Sequence, residues 1–291
     1  MTGLYNSHER KHRDTAKRNE RIVLMKGLYD IHCHILPDVD DGAVDMTESV
    51  EMLRIAAECG VTDIIATPHC APGEFDNYAG EKLFAAFSEL CEALSKTGAE
   101  IGLHLGTEVF ACPETLKLTD SGKLLTLADS DFMLVECAFD EDPWFMLEML
   151  QTVAASGKRP VVAHPERYYF VQDDLRYALE WAEAGYSLQI NTGSLTGYFG
   201  RGCRRTAFEL LSSGAVTLAA SDAHGAKSRT TDMRKAYKTV VSEFSKEYAD
   251  LIFSENPARL LKNKTLKPIG QILTETARGS GFLSDEEYWG I

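Results

Sequence analysis

The sequence has no apolar run long enough to cross a membrane as a helix, which sets aside an integral membrane role. Basic charge is also in short supply: 30 Lys and Arg face 44 Asp and Glu, a formal charge of −14. Wrapping a nucleic-acid backbone takes a concentrated basic surface, so that class of partner is excluded. Cysteines are few and unpatterned. The seven show no Cys-x-x-Cys and no even-spaced framework, the usage of a reducing cytoplasm. Cys33, Cys70 and Cys137 read as small core residues, since free Cys is commonly buried. Core material, by contrast, is plentiful: 44% of the 291 residues are hydrophobic and 9% aromatic, enough for one sizeable domain.

Residues 1–26 are polar and mixed in charge, with Arg10, Lys11, Arg13, Lys17, Arg18 and Arg21 against Glu9, Asp14 and Glu20. No apolar core follows the basic residues, which argues against a signal peptide. The segment reads as an N-terminal extension, either a frayed helix or a leader ahead of a start at Met25, and His8 and His12 go with it. From Gly27 short apolar runs alternate with longer amphipathic stretches, the pattern of an α/β parallel sheet or barrel. Seven strands are expected at 28–34, 63–68, 101–109, 132–138, 160–164, 186–191 and 215–221. Helices are expected at 47–58, 79–96, 144–156, 174–184, 203–213 and 232–249. Gly60, Gly98, Gly157, Gly185 and Gly214 fall between a helix and the next strand, where a left-handed helix terminus favours glycine. This repeat fills 27–263. Residues 264–291, with the acidic Asp285-Glu286-Glu287, form a C-terminal extension in which Phe282 and Trp289 suggest docking.

The chemistry gathers at the carboxyl ends of these strands, where α/β barrels keep their sites. Asp30-Ile31-His32-Cys33-His34 ends the chain's first expected strand, and Ser221-Asp222-Ala223-His224 begins at the last residue of the final one. Alternate strand residues share a face, so His32 pairs with His34 and Asp222 with His224. Barrel closure makes the first and last strands neighbours and brings the two pairs together. Between them lie Thr67-Pro68-His69, Gly106-Thr107-Glu108, Val135-Glu136-Cys137 and Ala163-His164-Pro165, and Asp41 stands in an acidic loop. The set His32, His34, Asp41, His69, Glu108, Glu136, His164, Asp222 and His224 is too large for one ion. Mixed imidazole and carboxylate ligands suit manganese, iron or zinc better than calcium, and two or three ions fit the number. Arg167 and Arg229, in loops at the same end, offer planar forks that match phosphate oxygens. Metals with converging arginines imply hydrolysis of a phosphate ester.

Together, Asp-Ile-His-Cys-His at 30–34, Thr-Pro-His at 67–69, Gly-Thr-Glu at 106–108, His-Pro-Glu-Arg at 164–167 and Ser-Asp-Ala-His at 221–224 resemble the polymerase and histidinol phosphatase (PHP) superfamily. Ile-Leu-Pro-Asp-Val-Asp-Asp-Gly-Ala at 35–43 narrows the resemblance to bacterial manganese-dependent protein tyrosine phosphatases of the CpsB/YwqE type. It runs from 28 to 263, through Glu-Asn-Pro-Ala-Arg-Leu-Leu at 255–261. The resemblance implies a distorted seven-stranded (β/α) TIM-like barrel, the PHP fold, with a three-manganese cluster. It also implies that His32, His34, Glu108 and Asp222 hold one metal, Glu108, Glu136 and His164 a second, and Asp41, His69 and His224 a third. Arg167 and Arg229 would grip the phosphate. The activity implied is phosphotyrosine hydrolysis by water that the metals activate, with no covalent enzyme intermediate. The partner implied is a bacterial tyrosine autokinase of capsule or exopolysaccharide synthesis in the cytoplasm. A small-molecule phosphatase such as a histidinol phosphatase, or a regulator that binds the kinase tail without turning it over, are the alternatives.

Other residues take secondary readings. Asp30 lies deeper on the first strand and supports the ligands, and His104 is a core or supporting residue. Asn191 ends the sixth strand and bonds loop backbone or water near the metals, and Glu166 is one candidate general acid alongside a metal-held water. No cysteine is followed six positions later by Arg, which excludes the thiolate-dependent phosphatase route. Asp38-x-Asp40 follows His-Ile-Leu-Pro and does not crown an apolar strand, which disfavours an aspartyl-phosphate mechanism.

Overall fold

The computed structural model describes residues 27–270, so the N-terminal extension and the stretch from 271 to 291 lie outside the described residues. Among the described residues nine strands form: β1 Leu28–Cys33, β2 Val61–Ala66, β3 His69–Cys70, β4 Gly102–Leu105, β5 Glu108–Phe110, β6 Phe132–Glu136, β7 Arg159–Ala163, β8 Ser187–Asn191 and β9 Val216–Ala220. They run parallel in two sheets, β1-β2-β4 and β3-β5-β6-β7-β8-β9.

The two extra strands come from breaks in expected ones. The strand expected at 63–68 continues, after Thr67-Pro68, as β3, and the one expected at 101–109 divides into β4 and β5 at Gly106-Thr107. Pro68 has no N–H to give to a ladder. At Gly106 a Cβ would lie 3.1–3.2 Å from Leu127 and Thr126, so the strand is pressed against its neighbour where it bends. Hydrogen bonds carry the pairing across both breaks: Thr67 N to Cys33 O at 2.9 Å, Gly106 N to Ala66 O at 2.9 Å and Glu108 N to Pro68 O at 3.1 Å. The result is seven staves, two of them kinked. At the seam, Asp222 N donates to His32 O and His34 N to Ala223 O, each at 2.9 Å, and a parallel bridge joins Cys33 to Ala223. The barrel closes there.

Helices layer the outside, and their apolar faces meet the strands in one large core. Ile31, Ile65, Leu134, Val161 and Leu218 make a second cluster, drawn mostly from strands, that fills the barrel interior. Ile31 belongs to this inner cluster and Cys33 to the outer one, although they are two residues apart. Simple alternation therefore fails on β1. Its register against β2 shifts between Asp30 and Cys33, and such a bulge re-aims side chains at a strand end.

Asp45 caps the helix Met46–Glu58 by accepting from Glu48 N, as its sequence position suggests. All five glycines at helix-to-strand junctions adopt positive φ. The helix expected at 232–249 is broken: Arg234–Glu243 ends at Phe244, and Ser245 caps a new turn, Lys246–Asp250. Residues 264–270 pack on the barrel. Lys267 exchanges two backbone bonds with the Asn256 side chain, and buried Ile269 lies over Gly214.

Candidate metal centre

The nine expected residues converge at the carboxyl end of the barrel. Among the described residues, four overlapping groups bring potential ligand atoms within 4.8 Å of one another: His34, Asp41, His69 and His224; His32, His34 and Asp222; His32, Glu108 and His164; His69, Glu108 and Glu136. Glu108 is the hub. Its Oε1 lies 3.0 Å from His164 Nε2, and its Oε2 lies 3.1, 3.2 and 3.1 Å from His32 Nε2, His34 Nε2 and His69 Nδ1. His69 Nδ1 stands 2.8 Å from Glu136 Oε1 while its Nε2 stands 3.3 Å from Asp41 Oδ1. His69 thus spans the groups of Glu136 and Asp41, where the resemblance implies only the latter.

The groups behind these residues set their orientation. His32 Nδ1 donates to Gln189 Oε1 at 3.0 Å and His34 Nδ1 to Asp40 Oδ2 at 2.7 Å. Both rings therefore turn Nε2 inward, and the two Nε2 atoms come within 3.1 Å of each other. A proton fixed on Nδ1 leaves Nε2 with its lone pair free for a metal. Asp40 also accepts from His69 N and Gly42 N, at 3.0 Å each. Gly42 has to be glycine, because a Cβ there would lie 2.2 Å from His34 O. Asp30, with its Oδ atoms on Ser221 N and Oγ at 2.9 and 2.5 Å, ties β1 to the end of β9. Asp222, His164 and Arg229 all have positive φ, a conformation that costs a non-glycine residue about 1 kcal/mol or more and gathers at functional sites.

A divalent cation fits this donor set. Buried Glu108 Oε2 hydrogen-bonds with none of the three imidazoles around it, and buried His164 Nδ1 has no partner either. An acceptor left unsatisfied in a dry site costs about 1–3 kcal/mol, and a bound cation removes that cost. The charges are already arranged for one. Burial would raise the Asp222 and Glu108 carboxyls, yet the His32 charge and further polar neighbours hold both well below the usual range. For Asp41, bonds to His224 and His69 have the same effect. His34 moves well above the ordinary imidazole value: burial and His69 oppose its charge, but Asp40 and Asp222 outweigh them. Protons on His32, His34 and His69, all raised, balance carboxylates that metals would balance instead.

Arg167 and Arg229 meet on one carboxylate oxygen, Asp222 Oδ2, at 3.1 and 2.7 Å. Asn191 Nδ2 donates to the same oxygen at 2.5 Å. The Arg167 guanidinium is held between two rings, 4.4 Å from the centre of Phe139 and 4.3 Å from that of Phe199. Phe199 also faces Arg229 at 5.4 Å. Neither phenylalanine stands out in the sequence, since the loops that bring them to the arginines carry no periodic signal. Gln189 was detectable: it alternates with Asn191 on β8 and shares its inward face.

Glu166 corrects one expectation. It is fully buried, and its Oε1 accepts from Asn191 N at 2.9 Å and Ser194 Oγ at 2.6 Å, so it anchors the β7 loop and does not meet a leaving group. His104 pairs with Asp63 at 3.0 Å, apart from the centre. Cys33, Cys70 and Cys137 are buried free thiols, in line with their reading as core residues.

The family described as capsular polysaccharide synthesis, CpsB/CapC, matches residues 28–262. The chain belongs to this family. The CpsB/CapC chain is similar to the tyrosine-protein phosphatase YwqE of Bacillus subtilis, at 34% identity over 82% of its own length and 93% of the relative's. It is similar also to the tyrosine-protein phosphatase CpsB of Streptococcus pneumoniae, at 27% identity over 82% and 100%. Among solved structures it superimposes with a TM-score of 0.78 and 33% identity, over 83% of this chain and 97% of the other, on one from a study of YwqE and CpsB described as unique metal-dependent tyrosine phosphatases.

Proposed function

We propose that this CpsB/CapC chain is a metal-dependent protein tyrosine phosphatase. The observation that carries the reading is the meeting of Arg167 and Arg229 on Asp222, at the edge of a nine-residue imidazole and carboxylate cluster. Two forks fixed on one oxygen are preset to receive the oxygens of a phosphate. The named activity of its relatives, YwqE and CpsB, supports the same reading.

His32, His34, Glu108 and Asp222 would hold one ion, Glu108, Glu136 and His164 a second, and Asp41, His69 and His224 a third, with His69 able to reach toward Glu136 as well. Manganese is the ion proposed, and iron and zinc accept the same ligands. Bound there, the ions supply Lewis acidity to the phosphate and lower the pKa of an attacking water. The chain's own part is electrostatic. Arg167 and Arg229 hand their forks to the equatorial oxygens, and Phe139 and Phe199 keep the Arg167 plane fixed while charge builds. Phenolate is a tolerable leaving group, with a conjugate acid of pKa about 10, so Glu166 can remain an anchor. The substrate proposed is a phosphotyrosine protein, a bacterial tyrosine autokinase of capsule or exopolysaccharide synthesis, met in the cytoplasm. Among the described residues no helix is long and apolar enough to cross a membrane.

Hydrolysis of a phosphotyrosine peptide, a phosphoserine peptide and histidinol phosphate, each with manganese and then after chelation, tests the proposal. Phosphotyrosine is expected to be fastest and to need metal. An equal or greater rate on histidinol phosphate would overturn the substrate class, and full activity after thorough chelation would overturn the metal dependence.

A further inference from the structure

The helix Gly200–Ser212 starts directly after Phe199, the ring that faces both arginines. Arg201, Arg204 and Arg205 stand at i, i+3 and i+4 and therefore share one face. All three are exposed, and with Phe208, Glu209 and Ser212 they line a groove of about 420 Å³. Their fixed partners are few and weak. Arg204 lies over the Phe208 ring at 4.5 Å, Arg205 donates to Gln172 O at 3.1 Å, and Glu209 is 4.0 Å from Arg205 Nε. A basic stripe of this kind, leading to the centre in a chain of charge −14, calls for an acidic occupant.

The same chain carries one. Ser284-Asp285-Glu286-Glu287-Tyr288-Trp289 places three carboxylates directly before a tyrosine and an indole. Its attachment point is well placed. Buried Ile269 sits over Gly214, two residues past the end of the Gly200–Ser212 helix, so the described chain leaves the barrel beside that helix's carboxyl end. From Ser212 back to Arg201 is about 16 Å of helix. The fourteen residues from 271 to 284 can span about 46 Å when extended, ample for the path.

We propose that Asp285–Trp289 docks on the Arg201, Arg204 and Arg205 face of its own chain, three carboxylates against three guanidiniums, and brings Tyr288 to the Phe199 rim of the candidate metal centre. The docking stands on charge, position and reach. Its consequence rests on the phosphatase reading: the segment is a resident tyrosine ligand that competes with substrate for the mouth.

The test reads binding, and so does not depend on activity. A fluorescein-labelled peptide of residues 281–291 is titrated, with anisotropy as the signal, into the full chain, into a full chain carrying Asp285→Lys, Glu286→Lys and Glu287→Lys, and into that variant with Arg201→Glu, Arg204→Glu and Arg205→Glu added. Binding is expected to be tightest to the lysine variant, at least fivefold weaker to the unaltered chain, whose own segment competes, and at least tenfold weaker once the arginines are reversed. The circular dichroism spectrum and thermal midpoint of the arginine-reversed chain are expected to match those of the lysine variant, which shows that chain to be folded. Equal affinity for all three proteins, or no binding to any, would overturn the proposal. So would equal binding by a scrambled peptide of the same charge, which would mark the face as a site for acidic partners in general.

Discussion

His32 and Asp222 owe their positions to a ladder, whereas Arg167 and Arg229 owe theirs to loops. The floor of the centre stands on strand ends whose register is set by backbone bonds across β1, β2 and β9, and its principal groups are fully buried. The rim stands on a 3-10 turn, Pro165–Arg167, and on the loop of Arg229, and its guanidiniums keep some exposure and are steadied by aromatic rings. A dry floor suits ions that must not be lost. A half-wet rim suits charges that, in the proposed mechanism, exchange Asp222 for a phosphate in every cycle. Changes to the floor should therefore cost metal and turnover together, and changes to the rim turnover alone.

Glu108→Gln attacks the floor at its hub and carries the largest expected effect. Metal content by elemental mass spectrometry should fall, and phosphotyrosine turnover should drop about 10³-fold. Retention of both would show that Glu108 is not the shared ligand. Arg167→Ala attacks the rim: turnover should fall about 10²-fold to 10³-fold with metal content unchanged, and a loss of metal would erase the distinction between floor and rim.

The seam beneath the floor has its own signature. Burial, against the Ser221 bonds, raises the Asp30 carboxyl from 3.8 to about 6. A carboxyl whose folded pKa is raised binds its proton more tightly in the native state. Its contribution to stability is therefore full below pH about 4 and is lost as pH rises through about 6. Asn in place of Asp30 can keep both bonds to Ser221 without the charge. Relative to the natural chain, Asp30→Asn should gain roughly 3 kcal/mol between pH 4 and pH 7, read by urea unfolding at both. No pH-dependent difference would mean that Asp30 is not buried as a charge. Phe199→Leu removes one ring from Arg167 and Arg229, and about 0.5–1 kcal/mol of cation–π attraction, a roughly twofold to fivefold loss in kcat/KM. An unchanged kcat/KM would mean that Asp222 and Phe139 steady the arginines without Phe199.

The floor was also the legible part. Strand ends repeat a pattern of apolar run followed by His, Glu or Asp, and a parallel barrel turns that pattern directly into a place. The eight residues read that way lie in the four groups that converge, and Asp41, a loop residue that entered through the family resemblance, joins them. What the pattern could not supply was phase and packing. The β1 bulge puts Ile31 in the inner cluster where strict alternation pairs it with Cys33, and the breaks at Pro68 and Gly106 split two staves. Glu166 looked available because it adjoins Arg167, but its side chain turns into the β8 side of the barrel, toward Asn191 and Ser194. Asp40 hid in an acidic loop that reads as solvated until His34 and His69 are seen on it.

The seam between β1 and the end of β9 also orders events in time. Asp30 and Ser221 are 191 positions apart, and at synthesis rates of about 5–20 residues per second β1 emerges about 10–40 s before its last neighbour. Until then the first strand is an open edge, with His32 and His34 lacking the carboxylate of Asp222. Metal loading is thus a late event in the life of each chain, and a ribosome stalled before residue 221 releases a product with half a site and an unpaired strand.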